Sequence, residues 1–278
     1  SDVGGAIAIG KSAGNLDQSN NTIAIGTDAG QSKQSTDAIA IGNSAGKDYQ
    51  AVGAIAIGTC AGEGGGAAAT AQKAGSIAIG HFAGNLTQDI SSVAIGYEAG
   101  QTQQSSNAIA IGTRAGETDQ SGGSVAIGYF AGNREQDASS VAIGYLAGAT
   151  YQKPNAIAIG TYAGQGDGGV INNQQSEAIA IGTSAGNVGQ GTTAVAIGQN
   201  AGQTNQGRFA VAIGSEAGTT SQKASSIILN ATGGPLNNNT LAGANNWLVA
   251  PIRQDVSDNI LFYNTSTKEI TYASLITP

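Results

Sequence analysis

The sequence predicts an all-β fold, a parallel β-solenoid of 16-residue coils ending in a small β-rich cap. Three observations predict it. Glycines recur at Gly10, Gly26, Gly42, Gly58, Gly80, Gly96, Gly112, Gly128, Gly144, Gly160, Gly182, Gly198 and Gly214, 16 residues apart except for two intervals of 22. A fixed short period with rare insertions marks a solenoid, in which each repeat is a rung packed only against its neighbours. Each of these glycines closes an (Ile/Val)–Ala–Ile run, too short for a helix and rich in β-branched residues. Finally, every repeat carries a glutamine eight residues before the next glycine or, for Gln222, before Asn230 in the glycine slot.

The full repeat reads small–(Ile/Val)–Ala–Ile–Gly–x–x–Ala–Gly–x–x–x–Gln–x–x–x. Thr22 to Gly26, followed by Ala29, Gly30 and Gln34, shows it cleanly. Ile23 and Ile25 are two apart and share one face of a strand, while Thr22 and Ala24 share the other. Hydrophobicity assigns the Ile/Val face to the coil interior. The small-residue face is then free to pack closely against another copy of the chain. Gly26 and Gly30 serve as bends, where a missing Cβ permits positive φ or close backbone approach.

The glutamine column comprises Gln18, Gln34, Gln50, Gln72, Gln88, Gln104, Gln120, Gln136, Gln152, Gln174, Gln190, Gln206 and Gln222. Amides stacked at rung spacing can form a hydrogen-bonded ladder, so the column reads as structural. In both long coils the six extra residues, within Glu63–Ala71 and Gln165–Asn173, precede the glutamine and leave its register intact. They read as protruding loops.

The solenoid spans 1–226 as thirteen repeats, and 227–278 reads as a C-terminal cap and trimerisation segment. Ile227 to Asn230 fill the next strand slot, with Asn230 replacing glycine, and Gly234 keeps the second glycine position. The period is lost over 235–250. Segments 259–264 and 268–273 read as a β-hairpin across Thr265-Ser266-Thr267. A cap is needed because a last rung exposes an unpaired edge. No matching cap is visible at the start, so the chain is expected to be a piece of a longer product.

Composition narrows function. Only 10% of residues are charged, 5% are aromatic, and the net charge is −7. Nothing supplies the basic patch that nucleic-acid binding requires. No apolar run approaches the roughly 18–20 residues of a spanning helix, so direct membrane insertion is not expected. The single Cys60 excludes an intrachain disulfide, and neither it nor the lone His81 has a partner at ligand spacing. No cofactor or metal is expected.

Other motifs have plain readings. Gly5 to Ser12 matches the phosphate-loop pattern, but the same positions are rung one, and the Lys11 slot becomes Thr27, Asn43 and Thr59 in the following rungs. Gly164 to Gly169 resembles a calcium β-roll loop only once, inside an insertion. Asp119 and Glu135 share a column on adjacent rungs, flanked by Glu117, Arg134 and Asp137. A polysaccharide-cleaving enzyme would need convergent acids of this kind, but an outward variable column is usually solvated. No enzymatic activity is expected.

The two positions after the first glycine carry Phe82, Tyr97, Tyr129, Phe130, Tyr145 and Tyr162, all within rungs five to ten. Such an aromatic strip on a polar rod is a candidate contact for a surface glycan or receptor. The alternative is that the rings cover an inter-subunit groove or pack beneath the long loops.

Ala38 to Ala45 and Ala108 to Ala115 carry Ala–Ile–Ala–Ile–Gly–x–x–Ala, which resembles the head repeats of YadA-like trimeric autotransporter adhesins. That resemblance implies a left-handed parallel β-roll assembled as a homotrimer. The period here is longer than the family's usual repeat, and the glutamine column is a departure from it. Ser225 to Gly233, Pro251-Ile252-Arg253 and Leu261 to Tyr272 resemble the ends of fibre or surface proteins of large DNA viruses and tail-fibre-like proteins. The combined expectation is a homotrimeric structural fibre on a virion or cell surface, extracellular and adhesive. The alternatives are a monomeric β-solenoid that binds glycan or ice and, behind it, a polysaccharide-degrading β-helix enzyme.

Overall fold

The computed structural model describes residues 4–169, 172–241, 243–252, 259–264, 266–267 and 270–274. Val170 and Ile171 of the second insertion lie outside the described residues. So do 253–258 and 275–278 of the expected cap, and Thr265, Lys268 and Glu269 of the expected hairpin.

The chain is an all-β parallel β-solenoid of about fifteen turns. Among the described residues, fifteen strands form one parallel sheet, from Ile7–Ile9 to Trp247–Ala250. Register is kept rung by rung: Ile109 pairs with Val125, Ala110 with Ala126 and Ile111 with Ile127. At about 4.8 Å per rung the sheet runs about 65–70 Å. Leu86–Gln88, Thr102–Gln104, Thr118–Gln120 and Arg134–Gln136 form a second parallel sheet on another side of the coil. The described residues contain one short 3-10 turn, Ala68–Thr70, and no α-helix. The phosphate-loop match at Gly5 to Ser12 therefore lacks the helix that its chemistry needs.

Tight corners close each coil. In rung seven, Arg114 (φ 54°), Asp119 (φ 54°) and Gly123 (φ 68°) take left-handed conformations besides Gly112 and Gly116. Such φ values are uncommon outside glycine, yet here they recur in column after column. They turn the backbone so that its polar groups point along the axis: Arg114 N–H donates to Tyr97 O one rung back, and Gly116 N–H to Ala131 O one rung ahead. Inter-rung bonding satisfies the backbone of a fold too thin to hide unpaired groups.

One expectation is overturned. The interior of the thirteen repeats does not hold Ile and Val. In the middle of the sheet the alanine between them points inward, as at Ala94, Ala110 and Ala126, all fully buried. The second alanine of each repeat joins it, as at Ala99, Ala115 and Ala131. The Ile and Val side chains face outward, half-buried only by stacking on their neighbours (Ile111 is 36% exposed). The reason is volume. A coil of 16 residues with this many corners encloses a channel that two alanine methyls and one glutamine already fill. Serine, alanine or, at Thr22, threonine completes the interior before the strands, and Ser124 Oγ donates to Ser121 O at 2.6 Å.

Both glycine columns follow from this tightness. A Cβ on Gly112 would lie 2.6 Å from the Gly128 carbonyl oxygen, and one on Gly116 would lie 2.6 Å from Gln120 Oε1.

The sheet also runs further than the repeat. Ile227–Asn230 and Trp247–Ala250 add its last two strands, so the stretch over which the period is lost still returns to the same ladder. Ile228 takes the inward alanine position, and Asn230 Nδ2 donates to Ser215 O at 2.7 Å. Asn259–Tyr263 and Ile270–Ser274 pair antiparallel as a hairpin.

Candidate functional site

Three features stand above the rest of the molecule: an internal amide ladder, an outward apolar face and an aromatic strip.

The ladder runs from Gln18 to Gln222. Gln120 Nε2 donates to Ile109 O at 2.8 Å and to Gln136 Oε1 at 3.2 Å, while its Oε1 accepts from Gln104 Nε2 at 3.0 Å. Because each Nε2 also faces backbone carbonyls, the amide orientation is fixed and all the dipoles point the same way. The links Gln50 to Gln72 (3.2 Å) and Gln152 to Gln174 (2.9 Å) cross both insertions unbroken. From Gln34 to Gln222 the glutamines are buried. No ligand can reach them, and the column is a structural spine.

The described residues at the insertions make local hydrogen bonds. In the first, Lys73 Nζ donates to Ala68 O. In the second, Asp167 accepts from Asn172 Nδ2 at 2.6 Å and from Gly169 N–H at 2.9 Å. The Asn172 bond, with the Gly169 bond behind it, holds the Asp167 carboxyl below its usual range.

The outward face is two columns wide. One column holds Ile or Val and the other Ile, from Ile23 and Ile25 through Val211 and Ile213. Ile227 and then Trp247 continue the first column. An open cavity of about 590 Å³, lined by Ser225, Ile227, Asn245, Asn246, Trp247 and Ile270, lies at this end.

The aromatic strip occupies the corner after this face. His81 and Tyr97 stack at 5.3 Å with planes 9° apart, and Tyr129 and Tyr145 stack at 5.3 Å, 4° apart. Tyr162 meets Tyr145 edge-on at 5.4 Å, Phe130 lies 4.5 Å from Tyr129, and Phe82 lies 4.2 Å from His81. All six sequence-predicted aromatics therefore fall on one strip. Sequence reasoning missed His81 as a member of the stack, and also missed the polar pair beside it. Arg114 Nε donates to Glu98 Oε2 at 2.5 Å, with the guanidinium 5.4 Å from the Phe130 ring. The signal was present, since His81 shares a column with Tyr97 and Glu98 shares one with Arg114. The Glu98 carboxylate, first by hydrogen bonding and then by its charge, holds the Tyr97 hydroxyl above its ordinary pKa.

The remaining chemistry is sparse. Asp119 and Glu135 occupy adjacent corners at φ 54° and 47°, and Glu117 accepts from Asn133 Nδ2 at 2.6 Å instead of turning toward them. The described residues contain no group of three or more metal-ligating side chains, and no helix long and apolar enough to cross a membrane.

Fold and surface together define a parallel β-solenoid repeat protein with one apolar face and one aromatic edge. No family model, curated protein or solved structure matches the chain.

Proposed function

We propose that this chain is the shaft of a homotrimeric adhesive fibre displayed on a virion or cell surface. The observation that carries the reading is the outward Ile/Val face. Two apolar columns about 65 Å long and roughly 10 Å across make an exposed apolar strip of about 650 Å². That exceeds the few hundred Å² a monomer usually leaves bare. It approaches the roughly 800 Å² per partner of a stable interface.

Periodicity selects the occupant. Only a partner with the same rung spacing keeps Ile against Ile over more than a dozen rungs, and a second copy of this chain has that spacing by construction. The interface is thus the Ile/Val face, in place of the small-residue face, which the coil uses for its own core. The C-terminal hairpin and the exposed Trp247 column end serve as cap and registration. Repeated weak contacts along such a rod gain avidity.

Light scattering after size exclusion tests the reading. A mass three times that of the 27.2 kDa chain is expected. A monomer at micromolar concentration overturns it and leaves a single-chain binder whose flat face meets a ligand.

A further inference from the structure

The aromatic strip has one gap, and the gap has a shape. Along the column after the first glycine the order is His81, Tyr97, Thr113, Tyr129, Tyr145, Thr161. His81 stacks on Tyr97 and Tyr129 stacks on Tyr145, so these rings stand across the fibre axis. Tyr162 meets the Tyr145 ring edge-on. Between Tyr97 and Tyr129 the column carries Thr113, too short to stack on either ring. Both tyrosine side chains are nearly half exposed, at 45% and 49%.

Two rungs separate these two rings, about 9.6 Å. A six-membered ring placed midway has its centroid about 4.8 Å from each tyrosine, inside the roughly 4.5–7 Å over which ring faces attract. The Glu98–Arg114 ion pair flanks the slot in the adjoining column; the Arg114 side chain is 39% exposed and offers donors to hydroxyl groups at the ring's rim, while Glu98, 12% exposed, already accepts from Arg114 Nε.

We propose that the slot over Thr113 is a subsite for one neutral pyranose of equatorial substitution, sandwiched between Tyr97 and Tyr129 with hydroxyls reaching Arg114. An all-equatorial sugar presents C–H groups on both faces and hydroxyls around its edge. An axial hydroxyl would be driven into one of the two tyrosine faces and lose its water without a partner. A second aromatic ring would fit the gap but would leave the ion pair unused. This inference deepens the adhesive half of the function proposed above by naming a ligand class. The slot is built within one chain and does not depend on the trimer.

The test is ligand-observed saturation-transfer NMR on the full chain with methyl β-glucoside, methyl β-galactoside and N-acetyl-tyrosinamide, alongside its solution mass. The expected result is transfer to the ring C–H protons of the glucoside, at least fivefold weaker for the galactoside. Thr113→Tyr completes the ladder with a residue the column already accepts at three positions, so the fold is retained. It should abolish glucoside transfer while mass and unfolding midpoint stay unchanged. Tyr97→Thr should weaken transfer about five- to tenfold. The proposal is overturned by absence of transfer to the glucoside, by equal transfer to both sugars, or by transfer that survives Thr113→Tyr. It is equally overturned by transfer to N-acetyl-tyrosinamide alone, or by a change of solution mass on Thr113→Tyr, which would make the strip a contact between subunits. Glucoside binding by a monomer would sink the trimer and keep the slot; a trimer without binding would do the reverse.

Discussion

Shortening Gln120 to alanine tests whether the amide ladder carries the coil. The side chain is fully buried, and its Nε2 is the donor recorded for Gln136 Oε1. Gln120→Ala leaves that oxygen buried without a partner, which costs about 1–3 kcal/mol. It also opens a void in a channel whose other walls are alanine methyls that cannot swing inward. Comparable large-to-alanine truncations cost about 2–5 kcal/mol. Together the loss should be about 3–8 kcal/mol. Gln120→Met refills the volume without restoring the donor, so it should cost only about 1–3 kcal/mol. Gln31→Ala, on the outside where the amide meets only Asp28, should stay within about 0.5 kcal/mol. Denaturant midpoints with a check on the slope give the comparison. Hydrogen exchange at rungs six and eight should show the damage confined to neighbours of the altered rung. If Gln120→Ala and Gln120→Met both fall within about 0.5 kcal/mol of the parent, the ladder is a bystander and the account of the core is wrong.

Further outcomes follow from the same geometry. Ile111→Lys places a charge on the outward face, so the proposed trimer should dissociate while far-ultraviolet circular dichroism of the coil persists; an unaltered mass would clear this face of any interface role. Gly112→Ala should cost at least about 3 kcal/mol, because φ is 125° and the new Cβ meets the Gly128 carbonyl at 2.6 Å. Gly123→Ala should cost about 1–2 kcal/mol, since the nearest atom is Ser139 Oγ at 3.9 Å and only the left-handed φ is penalised. Burial first, and then the Glu63 carboxylate, push the Cys60 thiol up from 9.0 to about 11. At pH 8 its alkylation should therefore run about 10- to 100-fold slower in the folded chain than in denaturant. The raised value also means that the stability from keeping this thiol protonated is present below pH 9 and lost as pH rises through about 11.

The period, the Ile/Val–Ala–Ile strands, the bends and the glutamine column were legible as pattern, because a solenoid repeats its local chemistry along the chain; the strands of the second sheet, which end at Gln88, Gln104, Gln120 and Gln136, were not. Which strand face lies inside was not. Period-two alternation separates Ile23 and Ile25 from Ala24 but does not say which side is the core, and hydrophobicity pointed to the larger residues. Variation within the columns held the better signal. The inward position is alanine in all thirteen repeats, Ala8 through Ala212, whereas the first of the two outward columns takes Ile in eight repeats and Val in five, the second being Ile throughout. A site that tolerates no added methylene is enclosed on all sides, and one that accepts either size has room. The strip at Tyr97, Tyr129 and Tyr145 was legible because its residues share a column. The slot was not, because it is made by Thr113, whose significance lies in being small between two rings. The final strand, Trp247–Ala250, was lost because a segment with no repeat period returns to the ladder through backbone bonds that any residue can make.

That inversion has a thermodynamic consequence. Two buried alanine methyls contribute about 0.8 kcal/mol each per rung. Finishing the burial of two half-covered Ile or Val side chains would contribute about 1–3 kcal/mol per rung. The outer face thus holds apolar stabilisation comparable to that of the chain's own core, and it is realised only when another surface covers it. Folding and assembly should be linked by mass action. The unfolding midpoint should fall as the protein is diluted from about 10 μM to about 0.1 μM, by several degrees for a linked trimer. Ile111→Lys should remove this dependence by removing the assembly. A parent midpoint that holds constant across the dilution, in a sample whose mass drops to that of one chain, would mean the coil is stable with its Ile/Val face in water. The case for a fibre would then lose its physical basis.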